Sequence, residues 1–176
     1  MAKSHHSLTI FFIFIVATTG NKHGYKKEKL SHFHLYWHDV ASGKNPTSAK
    51  IVTVPSRNNS AAPFGTVFMN DNTLTEGSEL SSKFIGRGQG LLASAAQNEI
   101  GLLMVMNFAF ETGKYNGSTI SILGRNTIFS KVREMPIVGG SELFRFARGY
   151  VQARTYKFDL LSGDATVEYD IYVMHF

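Results

Sequence analysis

The run from Val132 to Tyr150 constrains the fold more than any other stretch, because it writes a strand, a reversal and a second strand into one short segment. Pro136 has no amide to give a ladder and Gly139-Gly140 supplies backbone freedom, so the pattern predicts one strand ending near Val138 and another starting near Leu143. Arg133, Arg145 and Arg148 flank that turn, where three cations most simply decorate a solvated surface.

The same punctuation recurs along the chain. Residues His32 to Val40 alternate, placing Phe33, Leu35 and Trp37 with Asp39 on one face and His32, His34, Tyr36 and His38 on the other. Ser42-Gly43-Lys44-Asn45-Pro46 ends that strand, Ala49 to Val54 and Phe64 to Asn70 read as two more, and Asp71 to Ser81 reads as a polar turn segment. Lys83 to Ala95 predicts a long strand whose Gly86, Gly88 and Gly90 share one face, where the sheet must coil or another backbone comes close. Ile100 to Phe110 is the most apolar segment after the leader and predicts a strand buried on both faces. Asn116-Gly117 predicts a tight hairpin into Thr119 to Leu123, and strands follow over Ile128 to Val138, Leu143 to Tyr156 and Ala165 to Phe176. Eight or nine short strands with little helical periodicity predict an all-β antiparallel sandwich or closed barrel. A barrel of that size can be filled by side chains or hold one small ligand.

The beginning of the chain has a different character. Lys3, an apolar run from Leu8 to Ala17 and small residues ending at Gly20 have the build of a secretory signal peptide over residues 1–20. Residues 21–31 form a lysine-rich leader without periodicity, leaving residues 32–176 for a single domain. The expectation is a soluble exported protein, with no later segment long and apolar enough for a membrane helix. There is no cysteine, so thiol chemistry and cysteine-ligated metals are excluded and the core must hold without disulfides. Without the signal peptide the formal charge is 17 minus 13, or +4, which suits an acidic cell-wall polysaccharide or simply keeps the protein in solution. Asn58 and Asn116 head N-glycosylation sequons in turn-rich segments.

Little in the pattern announces chemistry. His32, His34 and His38 form a row on one strand face without a convincing fourth ligand, so no metal site is expected and a polar outer face is the simpler reading. The phosphate-cradle reading of the glycine run fails for want of a P-loop lysine and a following helix. On spacing alone, Asp39 is an acceptor for the amides of the Ser42-Gly43 turn, and Arg133 is exposed or paired with Glu134.

The wording of these segments resembles the plant dirigent proteins. Val132 to Tyr150 is similar to the family's signature region, Leu35-Tyr36-Trp37-His38-Asp39 to its first-strand motif, and Gly86-Arg87-Gly88-Gln89-Gly90 to its glycine-rich strand. Phe158-Asp159-Leu160 through Val173 resembles its closing hairpin, so the likeness covers about residues 30 to 176. It implies an eight-stranded antiparallel β-barrel with a pocket, assembled as a homotrimer, with no organic cofactor or metal. It also implies that Asp39 and Arg133 line the pocket as proton donor and anion stabiliser.

The chain departs from the lignan-forming members, which carry a second aspartate where Asn126 stands and tyrosines around Leu91 to Ser94. Leu92, Ser94 and Asn126 are therefore the expected substrate-shaping positions, and the pocket should suit another phenol. Two chemistries compete under the resemblance. One is dehydration of an isoflavan-4-ol through a quinone methide, as in pterocarpan synthase, which would make the protein a lyase. The other is stereochemical guidance of monolignol radicals made by an external laccase or peroxidase, in which the protein catalyses nothing itself. The family reading places the protein in the apoplast, with no nucleic-acid or membrane partner. A cell-wall carbohydrate binder using Tyr36, Tyr115 or Tyr150 and a lipocalin-like carrier are the alternatives outside it.

Overall fold

The computed structural model describes residues 27–55 and 63–176. The segment read as a signal peptide, the leader up to residue 26 and the sequon at Asn58 lie outside the described residues. Nine strands follow one another: β1 (Lys29–Asp39), β2 (Ser48–Val52), β3 (Val67–Thr75), β4 (Phe84–Ser94), β5 (Leu102–Phe110), β6 (Thr119–Asn126), β7 (Arg133–Gly140), β8 (Arg148–Phe158) and β9 (Ala165–His175). They pair antiparallel in the order β1-β9-β8-β7-β6-β5-β4-β3-β2, and a further β1–β3 pairing closes the ring. The expected eight-stranded antiparallel barrel is thus the observed fold, with β2 standing outside the ring on the edge of β3.

Closure is staggered. β1 reaches β3 only through Tyr36 opposite Thr75, Trp37 opposite Leu74 and His38 opposite Thr73. Further along β3, where β1 has ended, β2 takes the free edge with Ser48 opposite Asn70. Edge amides of β3 are covered in this way along most of its length.

Inward positions alternate on every strand, and most are apolar and buried: Leu35 and Trp37 on β1, Met104, Met106 and Phe108 on β5, Val151 and Ala153 on β8. One end is sealed by aromatic rings. Phe144 lies between Phe33, Phe110, Tyr115 and His175, with ring centroids 5.8, 5.6, 5.1 and 4.9 Å away. The barrel tapers because three inward positions of β4 are glycine. A Cβ on Gly88 would stand 2.7 Å from the Trp37 indole, and one on Gly90 would stand 2.0 Å from the Val105 carbonyl oxygen.

Several local expectations need correction. β1 begins at Lys29, inside the segment read as leader, and Arg148 grips Glu28 through two hydrogen bonds that tie this end to β8. β3 runs on to Thr75 through the segment read as a turn, because Asn72 and Leu74 continue its inward face while Asp71 stays outward and exposed. Polar residues hid that alternation.

Gly139 and Gly140 remain paired with Ser121 and Ile120, and the reversal occurs beyond them around a 3₁₀ turn at Glu142–Phe144. There Glu142 and Phe146 take the left-handed region at φ 50° and 61°. Gly140 is required for space, since a Cβ would come within 2.4 Å of the Thr119 carbonyl oxygen and 2.7 Å of Phe144 Cβ. Asn116-Gly117 likewise sits in a longer connection that contains the 3₁₀ turn Gly113–Tyr115. β5 is buried on one face only: Leu103 and Val105 point outward and are 41% and 38% exposed.

The glycine spacing makes a stability prediction. Gly90→Ala should lower the urea midpoint by an amount worth about 1–3 kcal/mol, because backbone rather than a side-chain tip must move. Gly139→Ala, with nothing within 4 Å of its Cβ, should stay within about 0.5 kcal/mol of the parent. Equal midpoints for the two variants would contradict the assignment.

Candidate functional site

Apart from His175 in the aromatic seal, the barrel interior carries its charged side chains away from that end. Arg133 on β7 lies opposite Ala153 on β8, Ala153 opposite Tyr169 on β9, and Tyr169 opposite Leu35 on β1, so the four share one rung of the inner wall. Alanine in the second place leaves room for the arginine to extend toward the tyrosine. Asp39 stands four positions beyond Leu35 and therefore shares its inward face. Asp39 and Arg133, separated by most of the chain, point into the same interior.

Asp39 does not cap the turn that follows it. The amides of Ala41 and Ser42 donate to Asp164 Oδ1 at 2.9 and 3.2 Å, which corrects that expectation. Asp39 Oδ1 instead accepts from the Ser48 hydroxyl, and that hydroxyl oxygen accepts from Asn70 Nδ2. Here β2 acquires a purpose, since Ser48 reaches the carboxyl across the place where β1 ends. Burial pushes the Asp39 carboxyl above the usual aspartate range, partly offset by the Ser48 hydroxyl and the Asn72 amide, while Asp164 adds a further upward push. Asn72 makes no full hydrogen bond to a described residue, and its side-chain nitrogen and oxygen are buried. Trp37 Nε1, on the same strand face as Asp39, is also buried without a partner.

Arg133 is only 3% exposed and makes no pair with Glu134, which meets Gln152 instead. Its Nε donates to Asn126 Oδ1 at 3.2 Å and its NH1 to Thr155 Oγ1 at 2.9 Å. Among the described residues no carboxylate lies within salt-bridge distance of it. Burial lowers its proton affinity and nearby Tyr169 raises it, though an arginine keeps its charge under all ordinary conditions. The result is a buried cation with neutral neighbours, short of hydrogen-bond acceptors for a group with five donors.

Tyr169 joins the two. Its fully buried phenol is pushed well above the usual tyrosine range by desolvation, pulled back by Arg133 and raised again by Asp39. Its hydroxyl has only a weak contact with Met104 Sδ at 3.6 Å. This residue was visible in the sequence only as one member of an apolar row. A tyrosine among valines and isoleucines on an inward face was the available signal; nothing marked Asn70, Asn72 or Thr155.

The other expected positions also face inward. Ser94, Leu102 and Asn126 form one rung, and Leu92 lies opposite Met104 on the next. Asn126 touches Arg133 directly, whereas Leu92 supplies apolar wall. Of the histidine row, His38 is buried under the β3–β4 connection and its Nε2 meets Thr75 Oγ1 at 2.7 Å, so it is separated from exposed His32 and His34. Asn116 is exposed in its loop. Two surface hollows, of about 200 and 410 Å³, lie beside Ala96, Leu102 and Arg125 and beside Phe33, Ile85 and Tyr115; neither Asp39 nor Arg133 lines them. An acid, a cation and a phenol converge instead in the barrel interior, where Asp39, Arg133 and Tyr169 meet.

The eight-stranded antiparallel barrel is matched by proteins of a known family. The family model for dirigent-like proteins matches residues 30–174, and the chain belongs to the dirigent family. Dirigent protein 7 of Arabidopsis thaliana is 56% identical over 160 residues, covering 90% of this chain and 84% of the relative. Pterocarpan synthase 1 of Glycine max is 47% identical over 176 residues, covering 97% and 95%. The solved structure of the pterocarpan synthase dirigent protein GePTS1 superposes with a TM-score of 0.83 at 49% identity, covering 87% of this chain and 94% of that one.

The environment of Asp39 predicts a pH-dependent stability difference. A carboxyl whose proton affinity is higher folded than unfolded favours the fold below its unfolded titration range, and that contribution is lost as pH rises through the folded value. Asp39→Asn should therefore melt at least as high as the parent at neutral pH, with the advantage shrinking as the solution is acidified. A variant that melts lower at neutral pH and recovers in acid would reverse the sign and refute the burial argument.

Proposed function

We propose that the protein dehydrates an isoflavan-4-ol and closes the pterocarpan ring inside the barrel, acting as a lyase with no cofactor. The reading rests on one observation: a carboxyl whose proton affinity is raised by burial, Asp39, faces the same interior as a buried cation, Arg133, that has only neutral partners. Asp39 gives its proton to the C4 hydroxyl, the C4–O bond breaks and water leaves. The ring phenol releases its proton to solvent water as its electrons flow to C4, and a quinone methide results. An internal phenol oxygen then bonds to C4, its proton passes to the Asp39 carboxylate, and the quinone methide oxygen recovers a proton as the ring becomes aromatic again. Arg133 stabilises the oxygen on which negative charge develops, and Asn126, being neutral, leaves that cation unspent. The 46–49% identity to pterocarpan synthases over nearly the whole chain supports the choice of substrate.

A second reading, orientation of monolignol radicals made by a separate laccase or peroxidase, is favoured by the higher identity to relatives named only as dirigent proteins. Both readings belong with secretion to the apoplast and, for a basic protein, contact with cell-wall polysaccharide. Assembly as a homotrimer has its own support. Met69, Leu91, Val105 and Leu123 are in register across β3 to β6 and form one apolar row on the outer wall, suited to burial against other copies.

Asp39→Asn and Arg133→Met should each slow isoflavanol dehydration, measured without oxidant, by about 100-fold or more while the fold is retained. Unchanged turnover in Asp39→Asn would sink the acid role. Product enantiomeric excess only with coniferyl alcohol and an oxidant would select the radical-guiding reading. Sedimentation tests the assembly: the parent should run as a trimer and Val105→Lys as a monomer, and a monomeric parent would remove the trimer from the account.

A further inference from the structure

The outer wall carries a cluster that the interior chemistry does not use. β1 and β9 pair with His34 opposite Asp170 and Tyr36 opposite Glu168, so side chains two apart on each strand meet on one outward face. His34 Nδ1 is 3.0 Å from Asp170 Oδ1, and His34 Nε2 is 3.6 Å from Glu168 Oε1. His32 brings its Nε2 to within 3.1 Å of the same Asp170 oxygen. Arg154 holds the other one, with its NH1 donating to Asp170 Oδ2 at 2.7 Å, which fixes the carboxylate and leaves Oδ1 turned toward the imidazoles.

We propose that this face of the β1–β9 ribbon is a divalent transition-metal site, with His34, Asp170 and Glu168 as protein ligands and water completing the shell. One ligand atom from each of the three lies within 4.8 Å of the others. A tetrahedral zinc shell with bonds near 2 Å has ligand atoms about 3.3 Å apart, a difference that small side-chain rotations at an open surface close. The ligand chemistry selects the ion. Imidazole nitrogen with carboxylate oxygen suits zinc or copper, whereas calcium and magnesium call for oxygen alone. Charge also favours a cation, since two carboxylates face a single arginine there. The pattern was half visible in the sequence. His32 and His34 were paired by spacing, but their carboxylates arrive from a strand more than 130 residues away.

Zinc chloride titrated calorimetrically into the untagged full chain tests the site, with His34→Gln and Glu168→Gln as variants. Both positions lie on the outer wall, so each variant should keep the parent's circular dichroism spectrum. The expected result is one zinc per chain, weakened by about tenfold or more in each variant. Binding should also raise the melting temperature of the parent, and of the Asp39→Asn variant equally, because the site is independent of the interior. No heat of binding up to about 1 mM zinc would overturn the proposal. So would equal affinity in parent and both variants, which would assign the zinc to His5, His6 or His23 near the start of the chain.

Discussion

A guanidinium buried among neutral groups is the constraint on which the rest of this barrel depends. Removing an arginine from water costs several kcal/mol unless partners replace the solvent, and Arg133 has only an amide oxygen and a hydroxyl. The surrounding wall must hold that arrangement without a disulfide. It does so with an inward lining of methionine, isoleucine and aromatic side chains and with the ring cluster around Phe144.

The nine strands divide the work in a way that follows from closure. β1 meets β3 for only three residues, and that short contact leaves a free edge which β2 covers. The strand outside the ring thereby delivers Ser48 to Asp39. There the Ser48 hydroxyl offsets part of the rise in proton affinity that burial causes. A detail of sheet register thus sets the acid–base character of the candidate site.

Much of this was legible in the sequence, and the reasons are local. Turn residues and alternation placed most strands within a few positions, since inward apolar and outward polar residues repeat with period two from Val167 to Val173, while the strand from Leu102 to Phe110 was marked by its apolar run alone. Alternation failed where the inward face is itself polar, as at Asn70 and Asn72, because a polar interior looks like a turn. Gly139-Gly140 misled for a related reason: Gly140 answers to the crowding of Phe144 and Thr119, and both glycines stay in the ladder short of the reversal. The resemblance singled out Asp39 and Arg133, but the roles of Tyr169, Ser48 and Asn72 depend on register between distant strands, which no single segment encodes.

The central claim is that the barrel interior holds the Asp39 carboxyl as a proton donor. Carbon-13 NMR of aspartate-labelled protein, titrated from acid to neutral pH with Asp39→Asn to assign the signal, reads that carboxyl directly. The account predicts a midpoint clearly above the value of about 3.9 typical of a free aspartate. A midpoint at or below that value would show a solvated or ion-paired carboxylate, and the acid role built on its burial would be wrong.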